Sequence, residues 1–325
     1  MKKIIYVEKE IIANRTTKQI IRKFKNPFVI EIDSYTEVFN KKNQNFRTQK
    51  VNPAVILAKK KGNFIHKTPS KYTIGNELNY YFSYMYNCVF DCQYCFLQGL
   101  YASSNYLVFV NYNDFFHEVR ITLSRHINKK VTFFSGYDCD SLAYESNTNF
   151  MKQAIKSFEG IDNAELEIRT KSTYSQVFSR TPLKNVVVAY SFTPQRFSSK
   201  YEIGVPSVEK RISTLKKLAK KGWKIGIRFD PIIIYKDWQR DYALLFKNVL
   251  GNVPEKNLHS VTYGNVRFPK DIFKKILQTT KNKGLLSKLS LNESLYEQSD
   301  KKLIKNLCDK LLYKYVDRSK VFCNF

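Results

Sequence analysis

The chain has 325 residues, 43% of them hydrophobic, enough for one large core with appendages or for two modest ones. Its 55 Lys and Arg against 28 Asp and Glu give a formal net charge of +27. That excess points to a polyanion, nucleic acid ahead of a membrane surface, although a coding bias toward Lys, Asn, Ile, Tyr and Phe would raise the same count. Six cysteines are too sparse for a disulfide framework. No signal peptide is seen and the apolar run VVVAYSF is too short to span a bilayer, so a reducing cytoplasm is expected. In chain order, KIIYVEKEII, FVIEIDSYTEVF and PAVILAKKKG read as short strands or loops, the last running into a basic turn at Lys59, Lys60 and Lys61. NYYFSYMYN reads as a strand that delivers a cysteine-bearing loop, YLVFVNYN as an extended segment, and residues 113–128 as a helix. VTFFSG is a buried strand ending at Gly136. NFMKQAIKSF is a helix with Phe150, Ile155 and Phe158 on its apolar face, and ELEIRTKS alternates as a strand. NVVVAYSF has the continuous apolar character of a parallel strand buried on both faces. VPSVEKRISTLKKLAKKGW is an amphipathic helix that Pro206 and Ser207 start, with Val208, Ile212, Leu215 and Leu218 on one face and Gly222 stopping it. The strand WKIGIRFDPIII carries Asp230 near its carboxyl end; a helix over 239–250, the strand LHSVTYGNVRF and a helix from about Pro269 follow.

Repeated strand–helix units predict an α/β fold whose parallel sheet curves into a partial (βα) barrel. The expected divisions are an N-terminal extension (1–76), the barrel (77–280) and a small C-terminal helical segment (281–325). Sites on such sheets form at the carboxyl ends of the strands. The cysteine loop, Gly136, Lys171, Ser191 and Asp230 all fall at such ends. The loop NCVFDCQYCFLQ places Cys88, Cys92 and Cys95 in the spacing C-x3-C-x2-C. Three thiolates so spaced can hold three irons of a [4Fe-4S] cluster and leave the fourth open to the amino and carboxylate groups of S-adenosyl-L-methionine (SAM). The spacing with interleaved aromatics resembles that of radical-SAM enzymes. A structural zinc site would want a fourth ligand from a second pair, and Cys139, Cys308 and Cys323 stand alone.

From the first strand to about residue 275 the chain resembles the spore photoproduct lyase family of radical-SAM DNA repair enzymes. The resemblance rests on NCVFDCQYCFLQ, SGYDCDSLAYES, RTKS, YSFTPQ, EIGVPSVEKRISTLKKLAKKGWKIGIRFDPIII and HSVTYGNVRFP. It implies a carbon–carbon lyase in which an adenosyl radical takes a hydrogen from a thymine carbon, the methylene bridge of the UV lesion breaks, and a protein group returns a hydrogen. It further implies a [4Fe-4S] cluster on Cys88, Cys92 and Cys95, Lys171 at the SAM carboxylate, and Ser191 and Gly136 lining the SAM site. Asp230 would lie near the ribose hydroxyls. The partners implied are UV-damaged DNA and an electron donor such as flavodoxin or ferredoxin. Two departures bear on the hydrogen-returning step. Tyr94 matches the first of the family's two tyrosines flanking the third cysteine, but Phe96 fills the second place. Tyr137 falls where the donor cysteine is expected, with Cys139 two residues on, so either is a candidate donor. The C-terminal hairpin that the family sets beside the lesion is not evident in residues 281–325. The rival functions are a radical-SAM enzyme acting on RNA or another nucleotide, and a nucleic-acid-binding protein with a structural metal site.

Overall fold

A computed structural model describes residues 2–69, 72–280, 284, 286, 290–292, 295–297 and 300–325. The chain opens with β1 (Ile4–Glu8), α1 (Arg15–Ile21), β2 (Phe28–Ile32), α2 (Phe46–Lys50) and β3 (Val55–Ala58), and these strands are parallel neighbours in the order β2-β1-β3. The stretch expected as one strand before the cysteines is two. β4 (His66–Lys67) and β5 (Leu78–Phe82) belong to the main sheet, whereas β6 (Met85–Tyr86) crosses to the N-terminal sheet and pairs antiparallel with β8 (Tyr106–Phe109). Between them lie β7 (Asp91–Cys92) and the single turn α3 (Leu97–Leu100). The cysteine loop thus hangs where the chain steps from one sheet to the other.

The barrel strands follow with their helices: α4 (Tyr112–Ser124), β9 (Val131–Ser135), α5 (Glu145–Thr148), α6 (Phe150–Ser157), β10 (Ala164–Thr170) and β11 (Val186–Ser191). Then come α7 (Gln195–Tyr201), β12 (Glu202–Ile203), α8 (Val208–Lys220), β13 (Lys224–Ile232), α9 (Trp238–Leu250) and β14 (Leu258–Asn265). Strands β5, β9, β10, β11, β13 and β14 run parallel in that order, closed at one edge by antiparallel β4, and the sheet curls as a half-barrel. The expected partial barrel is the observed fold. Ser207 caps α8 by accepting from the Lys210 amide, and Gly222 ends it at φ +95°, where a side chain would be strained. One apolar core joins Ile5, Val7 and Val55 of the N-terminal sheet to Val131, Ile168, Val188 and Ile227 of the half-barrel. The N-terminal extension is therefore packed into the same body.

The last part corrects the expectation of a helical tail. After β15 (Arg267–Pro269) and α10 (Lys270–Thr279), β16 (Ser290–Asn292) and β17 (Leu295–Glu297) pair antiparallel, and β17 also pairs with β15. Among the described residues α11 (Lys301–Leu312) is the α-helix of this part, and β18 (Val321–Cys323) adds a parallel strand beside β14. The hairpin is thus present although its sequence did not announce it; residues 293, 294, 298 and 299 lie outside the described residues. Among the described residues no helix is long and apolar enough to cross a membrane.

Candidate active site at the carboxyl ends of the barrel strands

The cysteine loop is held from three directions. Lys50 Nζ donates to the carbonyls of Cys88 (2.5 Å) and Phe90 (3.3 Å), and Arg47 Nη1 reaches both oxygens of Asp91 at 3.0 and 2.8 Å. Gln98 Nε2 donates to Asp91 Oδ1 (2.5 Å) and to the Cys92 carbonyl (3.0 Å). From the far side β12 pairs with β7, setting Glu202 opposite Cys92 and Ile203 opposite Asp91, and the Gln93 amide donates to the Tyr201 carbonyl at 2.9 Å. Below the loop Cys92 and Tyr94 pack into a second apolar cluster with Phe197, Ile233, Phe268, Phe273 and Ile276. Helix α3 nests against α10 so closely that a Cβ on Gly99 would stand 2.7 Å from the Ile272 carbonyl oxygen.

All three loop cysteines are free thiols, Cys92 buried and its neighbours half-buried. Burial pushes the Cys88 thiol up to about 12 and raises Cys92 and Cys95 as well, and the charge of Cys95 adds to the rise at Cys88 and Cys92. Buried thiols of this kind ionise on meeting a metal, which supplies the positive charge that burial denies them. Among the described residues no three His, Cys, Asp or Glu side chains converge on one ion. Three thiolates on one short loop can each bind a separate iron of a cluster. The donor set therefore fits a [4Fe-4S] group held by Cys88, Cys92 and Cys95.

The other expected site residues sit at or near the ends of β9, β10, β11 and β13. Lys171 follows the end of β10; burial works against its charge, but Cys92, Glu202 and Cys95 outweigh it and hold the ammonium above its ordinary range. Its Nζ lies 5.7 Å from the Tyr94 ring, and its amide donates to Asp140 Oδ2 at 2.6 Å. Gly136, just past β9, has φ +75°, and a Cβ there would meet Ser141 Oγ at 2.5 Å and the Cys139 carbonyl at 2.8 Å. Ser191 ends β11, buried, its carbonyl accepting from Arg211 Nη1 at 2.7 Å. Asp230 lies late in β13, where Asn324 Nδ2 donates to its Oδ2 at 3.2 Å.

The candidate hydrogen donors separate. Tyr137 is 39% exposed, stacks on Tyr81 at 4.3 Å between centroids, and stands 5.7 Å from Phe96 on the cysteine loop. Cys139 is buried in the main core, and burial, with the charges of Cys88, Asp140 and Asp138, drives its thiol well above the ordinary cysteine range. Tyr94 is buried and its hydroxyl donates to Glu202 Oε1, away from the Tyr137 side of the loop.

Several residues at the site carried no motif. Strand β10 was expected to alternate between core and solvent, yet it is buried on both faces. Leu166 and Ile168 join the core, and Glu165, Glu167 and Arg169 line the opposite face. There Glu167 takes Arg228 Nη2 at 2.5 Å and Arg169 Nε at 2.9 Å, and Glu165 meets His259 at 3.0 Å. Arg228 lies flat because Gly226 has no side chain; a Cβ would stand 2.6 Å from its Nη2. On α8 the buried face is Val208, Arg211, Leu215 and Leu218, with Ile212 only half-buried. An arginine at an apolar spacing was the available signal for Arg211.

The family model for spore photoproduct lyase matches residues 1–321. Two curated relatives are the spore photoproduct lyases of Bacillus subtilis (strain 168) and Geobacillus sp. (strain Y412MC61). The first is 23% identical over 267 residues, covering 80% of this chain and 76% of the relative. The second is 25% identical over 213 residues, covering 64% and 61%. Among solved structures, a spore photoproduct lyase double mutant with bound AdoMet and dinucleoside spore photoproduct superposes with a TM-score of 0.83 at 19% identity, covering 100% of this chain and 98% of that one. A spore photoproduct lyase complexed with dinucleoside spore photoproduct gives 0.80 at 19% identity with the same coverage. With a family match across nearly the whole sequence, over a half-barrel that carries the cysteine loop at its catalytic end, the chain belongs to the spore photoproduct lyase family.

Proposed function

We propose that this chain is a radical-SAM lyase that repairs the spore photoproduct, a UV-induced thymine dimer, in DNA. The observation that carries the reading is the cysteine loop fixed at the carboxyl ends of the barrel strands, with the Lys171 ammonium 5.7 Å from the ring of Tyr94 on that loop. A cluster held by Cys88, Cys92 and Cys95, with SAM bound, would supply the one-electron radical chemistry that opens the methylene bridge. The chain's own residues do the rest. Cys88, Cys92 and Cys95 hold the cluster. Lys171 meets the methionyl carboxylate, where its charge is most useful in a site screened from water. Gly136 and Ser191, at the ends of β9 and β11, would line the same pocket, and Asp230 would offer its carboxylate to ribose hydroxyls.

Tyr137 returns a hydrogen atom to the thymine radical. Tyr137 is the more exposed of the two candidates and stands 5.7 Å from Phe96 of the loop, while Cys139 is buried in the core. Tyr94, tied to Glu202, orients the loop. The partners are damaged DNA and a small one-electron donor of the flavodoxin or ferredoxin kind, in a reducing cytoplasm that spares the cluster. The test is anaerobic incubation of reconstituted protein with SAM, a reductant and DNA carrying the spore photoproduct, followed by mass spectrometry of the nucleosides. Restored thymidine is the expected result. Cleavage of SAM with the lesion untouched would move the substrate to RNA or another nucleotide.

A further inference from the structure

One buried guanidinium joins the two halves of this site. Arg211 is fully buried, although it sits on the face of α8 that otherwise packs Val208, Leu215 and Leu218. Its Nη1 donates to the Ser191 carbonyl at 2.7 Å, at the carboxyl end of β11. Its Nη2 donates to Ser198 Oγ at 2.8 Å on α7 and to Glu202 Oε2 at 2.7 Å on β12. Glu202 in turn accepts from the Tyr94 hydroxyl and from Ser198 Oγ, and its backbone is the ladder partner of Cys92. A chain of direct hydrogen bonds therefore runs from the strand end at Ser191, through Arg211 and Glu202, to the cysteine loop at Tyr94 and Cys92. The Arg211 side chain also lies over the Phe192 ring, at 5.5 Å from its centroid, which fixes the plane of the guanidinium.

Resting on the radical-SAM reading above, we propose that Arg211 is a positioning residue that sets the cysteine loop against the Ser191 strand end, so that cluster and SAM pocket keep one fixed separation. Fold stability alone does not call for it, since a buried ion pair replaced by neutral groups of similar volume often leaves a protein equally stable. What neutral groups lose is geometry: only a planar fork of donors meets acceptors on three elements at once. Breaking one partner alone would strand the other charge, so the informative variant removes both charges.

The test compares the full-length wild type with Arg211→Lys and with the double change Arg211→Met, Glu202→Gln. Folding is followed by circular dichroism. Loop mobility is read as the alkylation rate of Cys92, with buried Cys308 as internal reference, before iron is added. After anaerobic reconstitution, the electron paramagnetic resonance signal of the reduced cluster is recorded with and without SAM. Both variants are expected to fold; Cys92 alkylation rises about tenfold relative to Cys308, as expected for a loop that opens more readily. The SAM-induced change in the cluster signal weakens in both, less in Arg211→Lys. Unchanged alkylation with a wild-type response to SAM would overturn the proposal. So would unfolding of both variants, because the pair would then serve the fold. A wild type that assembles no four-iron cluster would instead sink the radical-SAM reading, while the Cys92 contrast would still report on the link.

Discussion

At the scale of single residues, the departure from the family that matters most is the aromatic pair Phe96 and Tyr137. A phenol, Tyr137, stands beside Phe96 of the loop and stacks against Tyr81. Tyr137→Phe is expected to leave SAM cleavage intact and to divert the thymine radical to side products, whereas Cys139→Ala keeps clean repair and loses only packing. Nucleoside mass spectrometry separates the two, and swapped outcomes would make Cys139 the donor. Tyr137→Cys should retain repair, since it restores a weak S–H bond at the same place. Lys171→Ala removes a charge-assisted hydrogen bond of about 1.5–3 kcal/mol, so SAM affinity should fall about tenfold or more. An unchanged dissociation constant would remove Lys171 from the pocket.

A second residue-scale effect lies away from the site. Glu145, the first residue of α5, is buried and accepts from the amides of Met151 and Lys152 in the first turn of α6 at 3.0 Å each. Burial outweighs these bonds and pushes its carboxyl up to about 7. A carboxyl whose folded value is raised binds its proton more tightly when folded. Its contribution is therefore present below the unfolded value and is lost as pH rises through 7. A displacement of that size is worth at most about 3 kcal/mol. Glu145→Gln should flatten the fall in unfolding midpoint between about pH 5 and about pH 8; an unaltered pH profile would show that Glu145 titrates normally.

At the scale of elements, what the sequence made legible was what periodicity encodes. The strands β9, β11 and β13 and the helices α6, α8, α9 and α10 sit within a residue or two of their expected places, because each buries a continuous or 3.6-period apolar set, whereas β14 stops at Asn265, three residues short of its expected end. The cysteine loop was legible because its spacing is chemical. The hairpin of β16 and β17 was not: Glu293 and Ser294 between them lack the Asn-Gly or Asp-Gly signature, and the scattered leucines of 285–295 fit a helix as well as a strand. Arg211, Glu167 and Arg228 were not legible either, since their partners are 9 and 61 residues away and only the fold brings them together. The strand end at Asp230 depends in the same way on the tail. The Asn324 amide donates to the Tyr263 carbonyl, its side chain holds Asp230, and Arg267 caps its carbonyl. Gly264 makes room for this, for a Cβ there would stand 2.9 Å from the Asn324 oxygen and 3.1 Å from Asp230 Oδ1. Backbone cannot yield as a flexible side chain can, so Gly264→Ala should cost about 1–3 kcal/mol and free residues 321–325. Thermal unfolding and protease cleavage of the tail measure both; a protected tail would show that β18 relaxes without loss.

At the scale of the whole molecule, burial makes the charge excess more telling. Among the described residues, six carboxylates are buried (Glu8, Asp138, Glu145, Glu165, Glu167 and Glu202), against three buried cations, Lys60, Arg211 and Arg228. The half-barrel and its surroundings thus draw acids inward, and the surface carries a somewhat larger positive excess than the +27 of the chain. A surface of that kind binds a duplex chiefly by releasing counterions from its phosphates. Affinity for DNA should therefore fall steeply with salt, with a log–log slope on the order of −4 to −8 for the phosphates a protein of this size would contact. The lesion should add only a modest factor, because extruding a damaged pair still costs a few kcal/mol, though less than extruding an intact one. Fluorescence anisotropy of a labelled duplex, with and without the lesion, over a salt series measures both terms. A flat salt dependence would trace the lysines to coding bias and leave lesion contacts alone to carry binding. A steep slope shared by damaged and undamaged DNA assigns the basic surface to search along the duplex and reserves recognition for the site at the strand ends.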